Sequence, residues 1–343
     1  MNSTAQFLNP SEAARRVGVS AKALRIYEDR GLLKPMRTAA GWRVYGPDEI
    51  GRAVEIVELR TLGLSLNQVA RVLGGDASVL ERALASHEAA LQARVRQLQE
   101  TVRKVQNTRA ELGRGSMSVA SAVTEVRQAG DRISVAIDLP WPWGGERFEL
   151  RNLRQLTHVV GPLGSGKTRL AMRLAEAIAG ASFVGLDRLA DGASAAKSQL
   201  AADPRLEAKV RNLMAEIVED GGVASDALVA LLAALEVEGP TVQVVGMLEQ
   251  GLDTPTQESL IAILRRRAPV SRPIIFLTRS SAILDLDSVG VDEAIIFCPA
   301  NHSPPTLVAP HRGAPGYEAV ATCLATPEVR ARTEGVIAIR RTG

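Results

Sequence analysis

Apolar and polar positions in the first 33 residues fall into two short helical stretches separated by a turn. Residues 9–12 combine an Asn cap, an early proline and an acid, which mark a helix start, and Gly18 ends that helix. Ser20 is placed to cap a second helix, which Gly31 closes. Two short helices joined by a tight turn predict a helix-turn-helix, whose second helix would enter the major groove of DNA.

Residues 34–45 predict a β-wing after these helices. Basic and aromatic residues alternate along it, with a turn at residues 39–41. We expect the rings to pack while the guanidinium groups reach phosphate. Whether Tyr27 and Trp42 serve the core or the DNA surface stays open. Two further helices are predicted, from Pro47 to Leu62 and from Ser65 to Leu73.

A long helix is predicted from Val79 to Leu112, a stretch without proline or glycine. Apolar residues recur along it with the heptad spacing of a coiled-coil seam. The seam consists of Leu84, Leu91, Val95, Leu98, Val102, Val105 and Leu112, and Glu81, Glu88 and Arg109 interrupt it near its ends. A lone helix with one apolar stripe needs a partner, so we expect a homodimer. Packing against the chain's own C-terminal domain is the alternative.

The pattern changes after a small, polar stretch from Gly113 to Gln128, which we interpret as a linker. Short apolar runs then alternate with helical stretches, one of which is an Ala/Leu-rich helix after residue 223. The predicted strands are residues 133–137, 148–150, 156–160, 183–186, 242–245, 273–280 and 294–297. This alternation predicts an α/β domain.

The strand at residues 156–160 runs directly into a glycine-rich loop at residues 161–168, and a helix comes next. This is a Walker A phosphate loop in its required context. Its backbone N–H groups turn toward a β-phosphate, Lys167 adds a charge near the β- and γ-oxygens, and Thr168 offers a hydroxyl to Mg²⁺. The predicted nucleotide-binding residues are Gly161, Gly164, Ser165, Gly166, Lys167 and Thr168. We expect ATP or ADP as the ligand, with Mg²⁺ as a candidate companion ion.

Composition and charge narrow the class of protein. A chain of 343 residues with 46% hydrophobic content has room for two or three domains. It has no apolar run of about 18 residues and no N-terminal signal pattern, and its two cysteines are far apart. We therefore expect a soluble, cytoplasmic protein. Residues 1–45 hold eight basic and three acidic residues, as a local phosphate-binding surface would require.

The N-terminal segments resemble the mercury-resistance-regulator (MerR) family over about the first 75 residues. The matching segments, in order, are Arg25-Ile26-Tyr27-Glu28, Gly31-Leu32-Leu33-Lys34-Pro35, Arg37, Gly41-Trp42-Arg43-Val44-Tyr45 and Gly63-Leu64-Ser65-Leu66. The resemblance implies a winged helix-turn-helix that binds promoter DNA as a dimer, with RNA polymerase as a partner there. The residues it places at the DNA are Ser20, Lys22, Arg25 and Tyr27 around the recognition helix and Arg37, Arg43 and Tyr45 in the wing.

The C-terminal layout resembles an ATP-binding-cassette (ABC) ATPase. Gly251-Leu252-Asp253 matches the D-loop of that family, and residues 219–223 lie near the place of its signature loop, matching only in their paired glycines. Thr278-Arg279-Ser280 falls where the switch histidine motif belongs.

Three departures from the ABC pattern affect its chemistry. The resemblance places Gly246 where the Mg²⁺-ordering Asp belongs, Met247 where the catalytic Glu belongs, and Arg279 in place of the histidine. Hydrolysis needs a metal clamp and a group that positions water. We therefore expect weak or absent hydrolysis and assign no catalytic residue. A register change that brings in Glu249, or a role for Asp187 beside Mg²⁺, stays open.

Two further groups have alternative interpretations. Cys298, His302, His311 and Cys323 match no compact zinc-ligand spacing, so a core cysteine and loop histidines are the favoured interpretation and no metal site is predicted. Trp141 or Trp143 either stacks on an adenine, as an aromatic residue does in ABC proteins, or packs within the domain.

These inferences together predict four segments. They are a winged helix-turn-helix DNA-binding domain at residues 1–75, a coiled-coil dimerisation helix at 76–113, a linker at 114–130 and an α/β P-loop nucleotide-binding domain at 131–343. The functional hypothesis is a transcription regulator whose promoter binding or DNA distortion is modulated by bound nucleotide. The alternatives are a DNA- or partner-stimulated ATPase targeted by its helix-turn-helix, and a relic P-loop domain that serves only as a dimerisation scaffold.

Overall fold

The computed structural model describes residues 7–114, 116, 118, 121, 133–268 and 271–324. The chain forms two compact units, one that runs to Ala89 and includes Leu286–Gly290, and one that contains the other residues from Ala90 onward. Within the described residues, no helix is both long and apolar enough to cross a membrane. The predicted linker at residues 114–130 lies almost wholly outside the described part of the chain.

The N-terminal unit begins with helices α1 (Pro10–Val17) and α2 (Ala21–Asp29). Asn9 and Glu12 form the capping box of α1, since each side chain accepts a backbone N–H of the other at 3.0 Å. Gly18 ends α1 with a left-handed φ of +83°, which a residue with a side chain rarely adopts. Ser20 then caps α2 through the N–H of Ala23 at 2.9 Å.

The wing and two further helices follow in this unit. Strands β1 (Met36–Arg37) and β2 (Arg43–Val44) pair antiparallel, with Met36 opposite Val44. Helices α3 (Pro47–Thr61) and α4 (Leu66–Leu73) come next. Their apolar faces pack on α1 and α2 in one core, whose largest fully buried side chains are Leu24, Tyr45, Ile56 and Leu64.

Helix α5 (Ala77–Gly113) is continuous over 37 residues, close to the span predicted for it. The predicted seam residues Leu84, Leu91, Val95, Leu98, Val102, Val105 and Leu112 are between 37% and 58% exposed. A regular apolar stripe therefore remains accessible to solvent on this helix. The coiled-coil pairing of α5 stays a prediction.

The C-terminal unit is built on a mainly parallel sheet. A separate antiparallel hairpin of β3 (Val135–Asp138) and β4 (Arg147–Leu150) precedes it. The sheet contains β5 (Leu156–Val160), β6 (Ala181–Val184), β7 (Val242–Val245), β8 (Ile274–Leu277), β9 (Glu293–Phe297) and β10 (Thr306–Val308). Their spatial order is β10-β9-β5-β8-β7-β6, and all pairs are parallel except β10 with β9.

Helices cover both faces of this sheet, as parallel strands require. They are α6 (Lys167–Ala177), α7 (Ser194–Ala202), α8 (Pro204–Glu219), α9 (Asp226–Glu236), α10 (Thr254–Arg267) and α11 (Tyr317–Cys323). One core lies between the sheet and α8, α9 and α10, and the other lies under α6 and the hairpin. The α/β prediction is confirmed, but β10 and α11 were not predicted. The strand expected at residues 183–186 is Ala181–Val184 instead, because the chain leaves the sheet at Gly185.

Candidate functional site

The exposed face of α2 carries the basic side chains expected of a recognition helix. Lys22 and Arg25 are exposed, whereas Ala23, Leu24 and Tyr27 on the opposite face are buried in the core. The periodicity of α2 therefore separates a packing face from a face that can meet DNA. The sequence left open whether Tyr27 belongs to the core or to the DNA surface. In the structure it is a core residue with 3% exposure.

The wing presents Arg37 and Trp42 outward. Arg37 is exposed and donates from Nη1 to the carbonyl oxygen of Gly41 at 3.1 Å, which orients the guanidinium group along the turn. Trp42 is 74% exposed, so its ring does not pack in the core as the wing pattern suggested. The β1–β2 pair is only two residues long, too short to provide a layer that would bury the indole.

Glu28 joins the recognition helix to the wing. Its Oε2 accepts from Arg43 Nε at 2.6 Å and its Oε1 accepts from the Tyr45 hydroxyl at 2.5 Å. Burial, followed by the hydrogen bond to Glu28, raises the pKa of Tyr45 above its ordinary value. Tyr45 is 1% exposed. Tyr27 and Tyr45 are therefore core residues in the free chain, and their contacts with DNA stay a prediction.

The predicted phosphate loop connects the carboxyl end of β5 to the first turn of α6. Gly164 and Gly166 have φ angles of +79° and +88°, which turn the loop back on itself ahead of the helix. Lys167 bends over the loop and donates from Nζ to the carbonyl oxygens of Gly161 and Pro162, both at 2.7 Å. Burial lowers the pKa of Lys167 to about 8. A buried ammonium group beside loop carbonyls is poised to exchange these partners for a more strongly charged anion.

Close packing explains two of the loop glycines. A Cβ atom on Gly161 would lie 2.3 Å from the carbonyl oxygen of Cys298, and one on Gly166 would lie 2.6 Å from the ring of Trp143. Trp143 is itself buried and donates from Nε1 to the carbonyl oxygen of Ser303 at 3.1 Å. Trp143 therefore supports the loop from below and is not available to stack on a base.

Trp141, by contrast, is 65% exposed beside the loop. The guanidinium carbon of Arg169, on the first turn of α6, lies 4.6 Å from the centroid of its ring. Arg169 thus covers one face of an exposed aromatic ring, one residue beyond Thr168.

The residues after β7 differ most from a hydrolytic site. Arg188 donates from Nη1 to the carbonyl oxygens of Gly185 and Gly246 and from Nη2 to that of Met247, each at 2.8 Å. We call this arrangement the Arg188 clamp. Burial lowers the pKa of Arg188. A cation therefore occupies the strand end to which the resemblance to ABC ATPases assigns a metal-ordering acid.

The remaining polar residues at this edge bind one another. Glu249 is 3% exposed and accepts the backbone N–H of Arg279 at 3.0 Å through Oε1. Asp253 caps α10 through the N–H of Thr256 at 3.0 Å. Ser280 Oγ donates to Gln257 Oε1 at 2.6 Å. In this conformation Glu249 is bonded toward β8, so the structure shows no register change that would place it in the position of a catalytic carboxylate.

The cysteines and histidines considered as zinc ligands do not form a common metal site among the described residues. Cys298 is fully buried behind the loop, and burial raises the pKa of its thiol to about 12. His302 lies near the loop, with Nε2 3.1 Å from the carbonyl oxygen of Gly164. Among the described residues, no three His, Cys, Asp or Glu side chains are grouped so that they would hold a metal ion.

His158, Glu293 and Arg265 form a buried charge network that was not predicted from the sequence. His158 on β5 lies 2.7 Å from Glu293 Oε2, and Arg265 on α10 binds both oxygens of Glu293 at 3.0 and 3.2 Å. Burial opposes ionisation of Glu293, but Arg265 and His158 outweigh it and hold the pKa of this carboxyl at about 2. Burial lowers the pKa of His158. No local motif connects these residues, because each comes from a different element.

Comparison with known proteins supports the N-terminal assignment. The family described as "MerR HTH family regulatory protein" matches residues 8–75. A "Probable heavy metal-dependent transcriptional regulator" of Haemophilus influenzae is 45% identical over 67 residues, which are 19% of this chain and 52% of that protein. The match thus spans about half the length of that curated relative.

Two solved structures are similar to different parts of the chain. A MerR-family transcriptional regulator from Bacillus cereus is 22% identical with a TM-score of 0.26, over 36% of this chain and 96% of that one. The SMC head domain from Thermotoga maritima is 12% identical with a TM-score of 0.37, over 51% of this chain and 98% of that one. Residues 8–75 form a helix-turn-helix domain of the MerR family, and they precede an α/β unit with a mainly parallel sheet.

Proposed function

We propose that the chain is a DNA-binding transcription regulator whose promoter binding or DNA distortion depends on the nucleotide bound to its phosphate loop. The observation that carries the proposal is the loop between β5 and α6, with the buried ammonium group of Lys167 at its centre, in the same chain as a MerR-family helix-turn-helix. The relative from Haemophilus influenzae, which is described as a transcriptional regulator, supports the DNA-binding part.

The DNA-binding surface consists of the exposed face of α2 and the wing. Lys22 and Arg25 reach the major groove from α2, where Ser20 caps the helix, and Arg37 binds backbone phosphate from the wing. Arg43 is partly exposed and bonded to Glu28, so it supports the wing and has a weaker contact with phosphate. Trp42 adds an exposed ring at the wing turn.

The protein acts as a homodimer in this proposal. The seam of α5 exposes seven apolar residues in heptad spacing, and a second copy of α5 is the partner whose own seam matches it. Two heads then read two DNA half-sites, and RNA polymerase is the partner at the same promoter.

The ligand is ATP or ADP. The loop turns at Gly164 and Gly166, whose positive φ angles let its backbone wrap around a phosphate, and Lys167 supplies the counter-charge to the phosphates. The exposed ring of Trp141, with Arg169 over one face, is the surface that we assign to the base. Nucleotide can control the DNA-binding heads only if the two arrangements of the dimer bind it with different affinity.

Hydrolysis is not the proposed mode of control. The resemblance to ABC ATPases assigns Gly246, Met247 and Arg279 to the positions of the metal-ordering acid, the catalytic acid and the histidine, and these residues follow the ends of β7 and β8. Of the two carboxylates considered as substitutes, Glu249 is bonded to the N–H of Arg279. We expect turnover to be weak or absent, so occupancy of the site is the signal.

The test measures DNA affinity as a function of nucleotide. A promoter-like duplex is first selected from random-sequence DNA with the full-length protein, and its affinity and bending are measured by fluorescence anisotropy and energy transfer during ATP and ADP titrations. Lys167→Ala should abolish the nucleotide effect and keep DNA binding. Arg173→Ala removes an exposed cation from the same helix and should leave the effect intact. No change in affinity or bending with either nucleotide in the unmodified protein contradicts the proposal.

A further inference from the structure

A magnesium site in a phosphate-loop protein needs a hydroxyl from the first turn of the helix and a carboxylate from the carboxyl end of another strand of the same sheet. Thr168 supplies the hydroxyl and is exposed at the start of α6. Mg²⁺ demands oxygen ligands in octahedral geometry, and carboxylates are its main protein ligands. The fit of this chain to Mg²⁺ therefore depends on the side chains at the carboxyl end of β7.

The Arg188 clamp brings a positive charge to that strand end, where a magnesium ion would need a carboxylate. Its two terminal nitrogens make three hydrogen bonds of 2.8 Å to the carbonyl oxygens of Gly185, Gly246 and Met247. These carbonyl groups belong to the segments that leave β6 and β7, so the guanidinium group spans both strand ends. A guanidinium group keeps its proton in proteins and has no acceptor atom, so it repels a divalent cation and offers it no ligand.

The nearby carboxylates do not compensate for this cation. Glu249 is buried, and its Oε1 accepts the backbone N–H of Arg279 at 3.0 Å. Asp187 folds back over its own chain, because its Oδ1 lies 2.3 Å from the place of a Cβ atom on Gly185. Asp187 also adjoins Arg188 in sequence and partly balances its charge. The residues present therefore do not fit a magnesium ion.

We infer that the phosphate loop takes its nucleoside di- or triphosphate without Mg²⁺, and that the Arg188 clamp excludes the ion from the end of β7. This inference rests on the proposed function, since it specifies the ligand of the same site. The ligand is the free polyphosphate anion. Its charge is met by Lys167 and by the N–H groups of the loop, and the metal-bound nucleotide is the poorer ligand.

The first test compares nucleotide affinity of the full-length protein with excess EDTA and with excess MgCl₂, by calorimetric titration of ATP and ADP. The expected dissociation constants are equal within about threefold or lower in EDTA. Affinity at least tenfold higher in MgCl₂ overturns this inference and leaves the proposed function intact. Absence of binding in both buffers overturns the proposed function and this inference together.

A second test rebuilds the missing metal ligand. Gly246 has an ordinary negative φ, and a Cβ atom there would meet its nearest neighbour, the carbonyl oxygen of Val184, at 3.5 Å, so Gly246→Asp fits without strain. The double variant Arg188→Ala, Gly246→Asp should bind nucleotide at least tenfold more tightly with Mg²⁺ than with EDTA. The matched control is Arg188→Ala, Gly246→Asn, which has the same shape and no added charge, and it should show no such preference.

The double variants also separate a folding defect from a binding defect. Thermal unfolding of each variant is followed by circular dichroism, and Mn²⁺ binding in the presence of ATP is followed by electron paramagnetic resonance. A folded Asp variant that binds no Mn²⁺ and shows no preference for Mg²⁺ contradicts the assignment of this strand end as the place from which the clamp excludes the ion.

Discussion

The exposed seam of α5 gives the sharpest prediction about assembly. Leu91 and Leu98 are 51% and 58% exposed in the single chain. Burying a whole leucine side chain stabilises by about 1.5–3 kcal/mol, so covering the exposed half of each contributes about 1 kcal/mol. A symmetric dimer contains four such side chains. The double variant Leu91→Ala, Leu98→Ala should therefore weaken dimerisation by about 4 kcal/mol, or roughly a thousandfold.

Sedimentation equilibrium over a wide range of protein concentration measures this change. The control is Arg96→Ala, Asn107→Ala, which alters exposed positions of the same helix outside the seam and does not lower its helix propensity. Its dimerisation constant should stay within about threefold of the unmodified protein. A Leu91→Ala, Leu98→Ala protein that dimerises as tightly as the control would refute the assignment of this stripe as the dimer contact.

Three further predictions concern the C-terminal unit. Because Lys167 has a pKa of about 8 in the free loop and a bound polyphosphate raises it, nucleotide binding takes up a proton above that pH. Affinity should fall as pH rises from 8 to 10, and calorimetry in buffers of different ionisation heat should detect the uptake; a pH-independent affinity contradicts this. Glu293→Gln leaves the buried Arg265 without its counter-charge, so it should lower the free energy of unfolding, measured in urea, by about 3 kcal/mol. The control Glu238→Gln removes an exposed carboxylate and should change the free energy of unfolding little. Gly166→Ala drives a Cβ atom against Trp143 at a φ of +88° and should reduce nucleotide affinity at least tenfold, whereas Ala177→Gly at the other end of α6 should leave it unchanged.

Acid stability depends on the same buried network. Both His158 and Glu293 have a lowered pKa in the folded state, so the unfolded chain binds more protons as pH falls. The network therefore contributes its full stability above the ordinary pKa of histidine. It should lose that contribution in two stages, first below about pH 6.5 through His158 and then between about pH 4.5 and pH 2 through Glu293. Urea unfolding across this range measures the loss, and Glu293→Gln should remove the second stage.

Local features of the fold were predictable because their causes are local. The cap formed by Asn9 and Glu12, the turn at Gly18 and the cap at Ser20 each depend on residues within four positions of one another. The strand at residues 156–160 was predicted with its bounds, since an apolar run ends at a glycine-rich loop. The heptad spacing of apolar residues likewise predicted helix α5, close to its observed bounds.

Features that depend on distant partners were not predictable. Arg188 donates hydrogen bonds to the carbonyl groups of Gly246 and Met247, which lie 58 and 59 positions later in the chain. No sequence motif predicts such a contact. The environments of Tyr45 and Trp42 were not predictable either, because alternation in a wing does not reveal which ring faces the core. Tyr45 is buried and bonded to Glu28, and the two-residue strands leave Trp42 outside.

The unbroken length of α5 also defines a distance. With 37 residues and a rise of 1.5 Å each, the helix is about 55 Å long, which exceeds one full turn of the double helix. In a pair of such helices, the separation of the two heads is set by a rigid rod and not by a flexible tether. Inserting one heptad would lengthen the rod by about 10 Å, close to three base pairs of DNA, while keeping the seam in phase. If two chains pair along this seam as proposed, the residue count of the helix sets the spacing between half-sites in the target DNA.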